Sequence, residues 1–278
     1  AGNALAQQDA IYSQYMFNTL AFNPAYAGSG DVFTAMALGR NQWVGFDGAP
    51  TTQTLSLNSP LPGGKLAMGG NLIHDVAGPA TQNSAFLDIA YRIRTGKDTR
   101  LSFGLSGGIN FFQADLASLR TVETDPGNTN IKGKVLPNFG FGLFWHSPRY
   151  YLGISAPKLL ENTIGTDGLV VTNQEFRHYY LMGGYVIDID RDLKFKPSFM
   201  LRAVDGAPLS LDLNASFLLH DRIWLGVMYR VGNAFGVFAQ YQVNEQLRIG
   251  YAFDMTTTKI GAYSAGTHEI MVSYDFRF

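Results

Sequence analysis

Five histidines are the side chains of this sequence best suited to acid–base or metal chemistry: His74, His146, His178, His220 and His268. None stands in a HExxH pair or another close spacing that would set two imidazoles on one face around a metal. The chain has no Cys, which removes disulfides, zinc–thiolate sites and thiol nucleophiles together. No G-x-S-x-G elbow occurs, and no glycine-rich loop leads into a helix to cradle phosphate. The glycines of the Gly104–Gly108 stretch fall inside an alternating segment, where they let a wall curve or leave space beside it. The reading is therefore no catalytic residue, no metal ligand and no cofactor, with each His a polar residue near the end of a strand.

The elements that carry these residues are strands. Charged residues make up 15% of the 278, against roughly 25% in soluble domains. A formal net charge of −1 lacks the basic excess of nucleic-acid-binding domains. No run approaches the roughly 18 consecutive apolar residues that a spanning helix needs. A closed barrel is the only other structure that satisfies every backbone group in lipid. From residue 31 onward, segments of about 8–14 residues alternate apolar with small or polar and break at turn residues, the period-2 signal of strands with two unlike faces. Fourteen such segments are expected, at about 31–45, 50–59, 64–75, 82–94, 99–113, 134–147, 150–157, 175–189, 192–204, 208–220, 222–231, 234–243, 246–255 and 267–278. The fold class is all-β, a transmembrane antiparallel up-and-down barrel over residues 31–278, preceded by a non-strand segment over 1–30.

Turn lengths agree. Even-numbered turns, at Pro60–Gly63, Thr95–Asp98, Ser147–Arg149, Asp190–Arg191, Asp221 and Asn244–Glu245, are all short. The longest connections, about 114–133, 158–174 and 256–266, all follow odd strands. Outer-membrane barrels have short periplasmic turns and longer outer loops, so both ends of the barrel chain are expected on the periplasmic side. Ala4-Leu5-Ala6 before Gln7 has the small-x-small form left by an export signal.

The apolar faces are nearly free of charge, as lipid requires. The opposite faces carry Asp88, Arg92, Arg94, Lys194, Lys196, Arg202, Asp212, Arg230, Arg248 and Asp254. These read first as cross-strand ion pairs and second as an anion-favouring path. Aromatics near strand ends, Trp145, Tyr150, Tyr151, Tyr179, Tyr180, Trp224, Tyr229 and Tyr274, suit interfacial girdles. The final strand puts Ile270, Val272, Tyr274, Phe276 and Phe278 on one face, an ending like the signal read by outer-membrane assembly machinery. On this assignment Val237 faces lipid and Gln240 a tolerant lumen.

Residues 7–30 differ from all of this. Ile11, Tyr12, Tyr15, Met16, Phe17, Leu20, Phe22 and Tyr26 stand there without alternation, and Asn23-Pro24 marks a turn. So apolar a stretch is expected either to plug the lumen or to bind a periplasmic partner. Its Tyr12-Ser13-Gln14-Tyr15-Met16-Phe17-Asn18, then Asn23-Pro24-Ala25-Tyr26-Ala27-Gly28-Ser29, resembles the N-terminal signature of the PorP/SprF family of type IX secretion system membrane proteins. Gly153–Leu160 resembles a mid-chain segment of the same family. The resemblance implies a bacterial outer-membrane protein that works with the periplasmic secretion and gliding apparatus, or serves the secretion or surface anchoring of a partner such as an adhesin. It implies no catalytic residue. Partners expected on this basis are a secreted or surface-anchored protein, other secretion components, and lipid with lipopolysaccharide. Tyr15, Met16, Phe17, Asn23, Pro24 and Tyr26 are the expected partner-binding residues, and the long outer loops a second docking surface. The competing reading is a porin for small solutes.

Overall fold

The computed structural model describes residues 11–118, 130–164 and 175–277. The motif expected from an export signal, Ala4–Gln7, residues 119–129 and 165–174, and the terminal Phe278 lie outside the described residues.

Fourteen antiparallel strands form one sheet. They are β1 (Phe33–Asn41), β2 (Thr51–Pro60), β3 (Leu66–Ala77), β4 (Ala80–Arg94), β5 (Arg100–Ala114), β6 (Ile131–His146), β7 (Tyr150–Ala156), β8 (His178–Tyr185, continued past Val186 by Ile187–Asp188), β9 (Leu193–Val204), β10 (Ser210–Leu219), β11 (Ile223–Arg230), β12 (Ala234–Gln242), β13 (Leu247–Thr256) and β14 (Thr267–Phe276). Each pairs with its sequence neighbour, and β14 pairs with β1 from Phe33↔Phe276 to Asn41↔His268. That last pairing closes the barrel, so the sheet has no free edge strand. Among the described residues no helix is long and apolar enough to cross a membrane.

The side chains sort as the alternation predicts. Leu87, Leu105, Val237 and Ile270 point outward, with Leu87 and Leu105 each 69% exposed. Ser102, Asn110, Asp212 and Ser216 point inward and are buried. A continuous belt of exposed Leu, Ile, Val and aromatics is untenable in water and is what a lipid-facing wall requires. The short turns gather at the end where the chain enters β1 and leaves β14. One of them, between β10 and β11, places both His220 (φ 49°) and Asp221 (φ 53°) in the left-handed region. Two successive positive φ values, with the Arg222 N–H donating to the Leu219 carbonyl, are the type I′ turn geometry that follows strand twist.

Three of the expected girdle residues face inward instead. Tyr180 is 2% exposed, and Tyr151 and Trp224 pack against the interior cluster. The reason is the pleat: in Tyr150-Tyr151 and Tyr179-Tyr180 successive side chains must take opposite faces. Trp145, Tyr179 and Tyr229 remain on the outside.

Candidate functional site

The interior of the barrel is occupied by residues 11–30. This segment makes two short 3-10 turns, Thr19–Ala21 and Pro24–Tyr26. The second is started by Asn23, whose side chain accepts from the Ala25 N–H at 2.9 Å, with Pro24 supplying a pre-set φ at the first position. Irregular backbone needs external hydrogen-bond partners, and the wall provides them.

The outer end of the segment is held by charge. Glu269 on β14, fully buried, accepts from the backbone N–H groups of Ser13 (2.8 Å) and Gln14 (2.9 Å). Arg40 on β1 bridges Glu269 (3.1 Å) and Asp254 on β13 (3.0 Å), and also donates to the Ser13 hydroxyl. The Ser13 hydroxyl donates to Asp254 at 2.6 Å. Removing Arg40 would leave two carboxylates away from water without their counter-charge.

Side chains hold the middle. Asn214 donates to the Tyr15 hydroxyl (2.8 Å), Tyr12 shares a hydrogen bond with Thr54 (2.7 Å), and Gln240 donates to Gln14 (2.8 Å). Asn23 donates to the Leu143 carbonyl at 2.9 Å, and Ser155 donates to the Phe22 carbonyl at 2.7 Å. Phe22 packs edge-on against Tyr12, Tyr15 and Tyr180, while Phe17 meets Trp224 and Phe238 in the same geometry. Met36, Met182, Met200 and Met271 fill the irregular gaps around these rings, a use that suits flexible thioethers. Lys196 sits 5.3–5.7 Å from the ring centres of Tyr151, Phe17 and Trp224, close enough for cation–π attraction.

Glycines in the wall make the fit possible. A Cβ on Gly104 would lie 2.1 Å from the Ala25 nitrogen, and one on Gly142 would lie 2.0 Å from Asn23 Oδ1. Gly153 is likewise closed off by Asn23. The inner end is held by Asp31, which pairs with Arg92 and Arg100 at the short-turn rim. Burial pulls the Asp31 carboxyl up, but the Arg100 and Arg92 hydrogen bonds outweigh this and set it below its ordinary range.

Tyr15, Met16, Phe17, Asn23 and Pro24 are all buried against the wall, and Tyr26 is half-buried on Phe144. The structure therefore brings all six together on the interior surface of their own barrel. Sequence reading passed over Arg40 and Glu269. Continuing the inward face of the last strand two residues back from Met271 reaches Glu269, and the inward face of β1 through Met36 and Leu38 reaches Arg40. Some of the buried inward charges form ion pairs, Arg230 with Asp212 at 2.9 Å and Arg40 with its two acids. The five histidines stay dispersed, and among the described residues no three His, Asp or Glu side chains are placed to hold a metal. Gln240 does not face a roomy lumen: it is 2% exposed and pressed onto Gln14.

Comparison with known proteins fits this architecture. The outer membrane protein Omp33 of Acinetobacter baumannii matches with a TM-score of 0.51 at 9% identity, over 88% of this chain and 98% of that one. The CymD monoaromatic hydrocarbon channel matches with a TM-score of 0.51 at 11% identity, over 96% of this chain and 94% of that one. At such identities the likeness is one of fold. No curated protein sequence matches the chain. The sequence profile described as "Type IX secretion system membrane protein PorP/SprF" matches residues 4–274, nearly the whole chain. Together with the barrel neighbours, this places the protein in the bacterial outer membrane. The chain is a member of the PorP/SprF family of type IX secretion system membrane proteins.

Proposed function

We propose that this barrel is a non-catalytic docking component of the type IX secretion apparatus, with its lumen plugged by its own N-terminal segment, serving the secretion or surface anchoring of a partner protein such as an adhesin. The observation that carries this reading is the double fastening of residues 11–30, by Glu269, Asp254 and Arg40 at the outer end and by Arg92 and Arg100 at the inner end. A solute channel has no need to bury about fifteen residues of its own chain across the lumen, many of them hydrogen-bonded to specific wall residues. Partners then meet the barrel at its rims: the outer loops around 42–50, 115–130, 157–177 and 257–266, and the periplasmic short-turn end. Tyr15, Met16, Phe17, Asn23, Pro24 and Tyr26 serve a partner by fixing the closed barrel on which it docks, since direct contact would require the segment to leave the wall.

Two measurements on the intact protein test this. Proteoliposomes should swell no faster in small sugars than protein-free liposomes, and tagged barrel extracted in mild detergent should bring a secreted or surface protein with it. Porin-like swelling together with recovery of the barrel alone would replace this reading with the small-solute porin.

A further inference from the structure

The short turns between β4 and β5 and between β6 and β7 stand side by side at the periplasmic rim, and basic side chains gather there. Arg94 and Arg100 face each other in direct register across β4 and β5, and Arg100 faces His146 across β5 and β6. Like charges placed directly opposite destabilise a sheet, and an anion between them relieves the repulsion. Arg92, two residues deeper on the inward face of β4, is 4% exposed. It donates to Asp31 from one nitrogen, while its Nε and Nη1 have no hydrogen-bond partner. The buried Nε2 of His146 has none either. A buried guanidinium with idle donors is costly, so this cluster is short of acceptors.

Arg94, Lys97, Arg100 and His146 line a cleft of about 420 Å³ at the lumen mouth. Four cations, these three basic residues and Arg92 behind them, meet two carboxylates, Asp31 and Asp98. Asp31 is already shared between Arg92 and Arg100. Arg94 and Lys97 have no ion pair among the described residues. Asp31 shows what the cluster recognises: a carboxylate seated between two guanidinium groups, whose planar forks match it. The cleft is lined by the inward face of the wall and by turn residues, not by the lipid-facing belt, which disfavours a phospholipid headgroup. It is also larger than one inorganic anion fills. An extended peptide carrying several carboxylates suits both its charge and its size.

We propose that this cleft binds an acidic peptide segment of a periplasmic protein, with Arg94, Lys97 and Arg100 receiving its carboxylates. Arg92 positions the site from behind, adding positive potential and holding Asp31 to one side. The proposal does not rest on the docking of a secreted partner at the outer rim, since a solute porin could carry the same cleft.

The test is calorimetric titration of the full-length barrel in uncharged detergent with acetyl-tetraglutamate amide, with its neutral counterpart acetyl-tetraglutamine amide, and with inorganic phosphate. Charge-assisted hydrogen bonds are expected to favour the acidic peptide over the neutral one by about tenfold or more. The preference should shrink as sodium chloride is raised, because the cleft is open to screening. Arg94→Gln and Lys97→Gln should each reduce it, and together abolish it. Neither residue has an ion pair to lose, and Arg94→Gln removes a like-charge contact, so both variants should fold. Heat-modifiable migration on gels checks this, and Lys97→Gln, in the turn, keeps the test valid if Arg94→Gln does not fold. Lys194→Gln takes the same charge from another part of the rim and should leave the preference unchanged. Equal binding of the two peptides, a preference that survives in the folded variants, or an equal loss in Lys194→Gln would overturn the proposal. So would phosphate binding as tightly as the acidic peptide, which would assign the cleft to a free oxyanion instead.

Discussion

The outer and inner faces of the same fourteen strands obey different rules. The outer face meets one solvent, lipid, and answers with one rule: apolar at every second position. Leu105, Val237 and Ile270 could exchange places with little consequence, because hydrocarbon does not distinguish among them. The inner face meets a particular peptide. Gly142 is there because Asn23 needs the room, Glu269 because the Ser13 and Gln14 amides need an acceptor, and Asn214 because the Tyr15 hydroxyl needs a donor. The difference teaches that the wall's identity is statistical on one side and individual on the other. Substitution should therefore be judged by polarity outside and by fit inside.

That contrast can be broken or sharpened by five substitutions, in decreasing order of expected effect. Glu269→Ala leaves Arg40 half-paired and two buried amides without an acceptor, so the folded barrel should lose about 3–5 kcal/mol, read from denaturant-dependent refolding into liposomes. Val237→Arg puts a charge on the lipid face and should cost about 2–4 kcal/mol in the same assay. A smaller loss there than at Gly104 would mean the two faces have been assigned the wrong way round. Gly104→Ala adds one methyl against the Ala25 backbone and should cost about 1–3 kcal/mol through overpacking, with faster proteolysis of the N-terminal segment as its signature. Gln240→Arg should fall in the same range, where an unfilled lumen would accept it almost freely. Asp31 gives the smallest effect. Its carboxyl is held below the ordinary range, so its stabilising contribution is present above that range and is lost as pH falls through the lowered folded value. Its side chain is 54% exposed, so solvent screening keeps the contribution below about 1 kcal/mol. Asp31→Asn should abolish that acid-induced loosening of the inner end, measured by protease sensitivity against pH.

The wall was legible in the sequence because its rule is periodic. Alternation located all fourteen strands within a few residues, and turn parity located the two rims, since both follow from local chain geometry and a uniform solvent. The aromatic girdle was legible only in part: Tyr151, Tyr180 and Trp224 turned inward because their position in the pleat, not their residue type, decides their face. The interior site was readable as an anomaly, a non-strand apolar segment with a family signature. Its partners were not readable. Arg40 and Glu269 lie 229 residues apart, and nothing local in either strand announces that their side chains meet over Ser13. Such pairings are set by barrel closure, a global property. Glycine in a strand was a visible signal of close approach, and Gly142 shows what it signals only once Asn23 is seen against it.

The central claim is that the N-terminal segment closes the lumen, and single-channel recording in planar bilayers tests it most directly. The intact barrel should give almost no conductance. A variant lacking residues 7–28, shown by heat-modifiable migration to be folded, should open a steady conductance, because the polar inner wall would then be lined by water instead of peptide. Equal conductance in the two proteins, open or shut, would contradict the account.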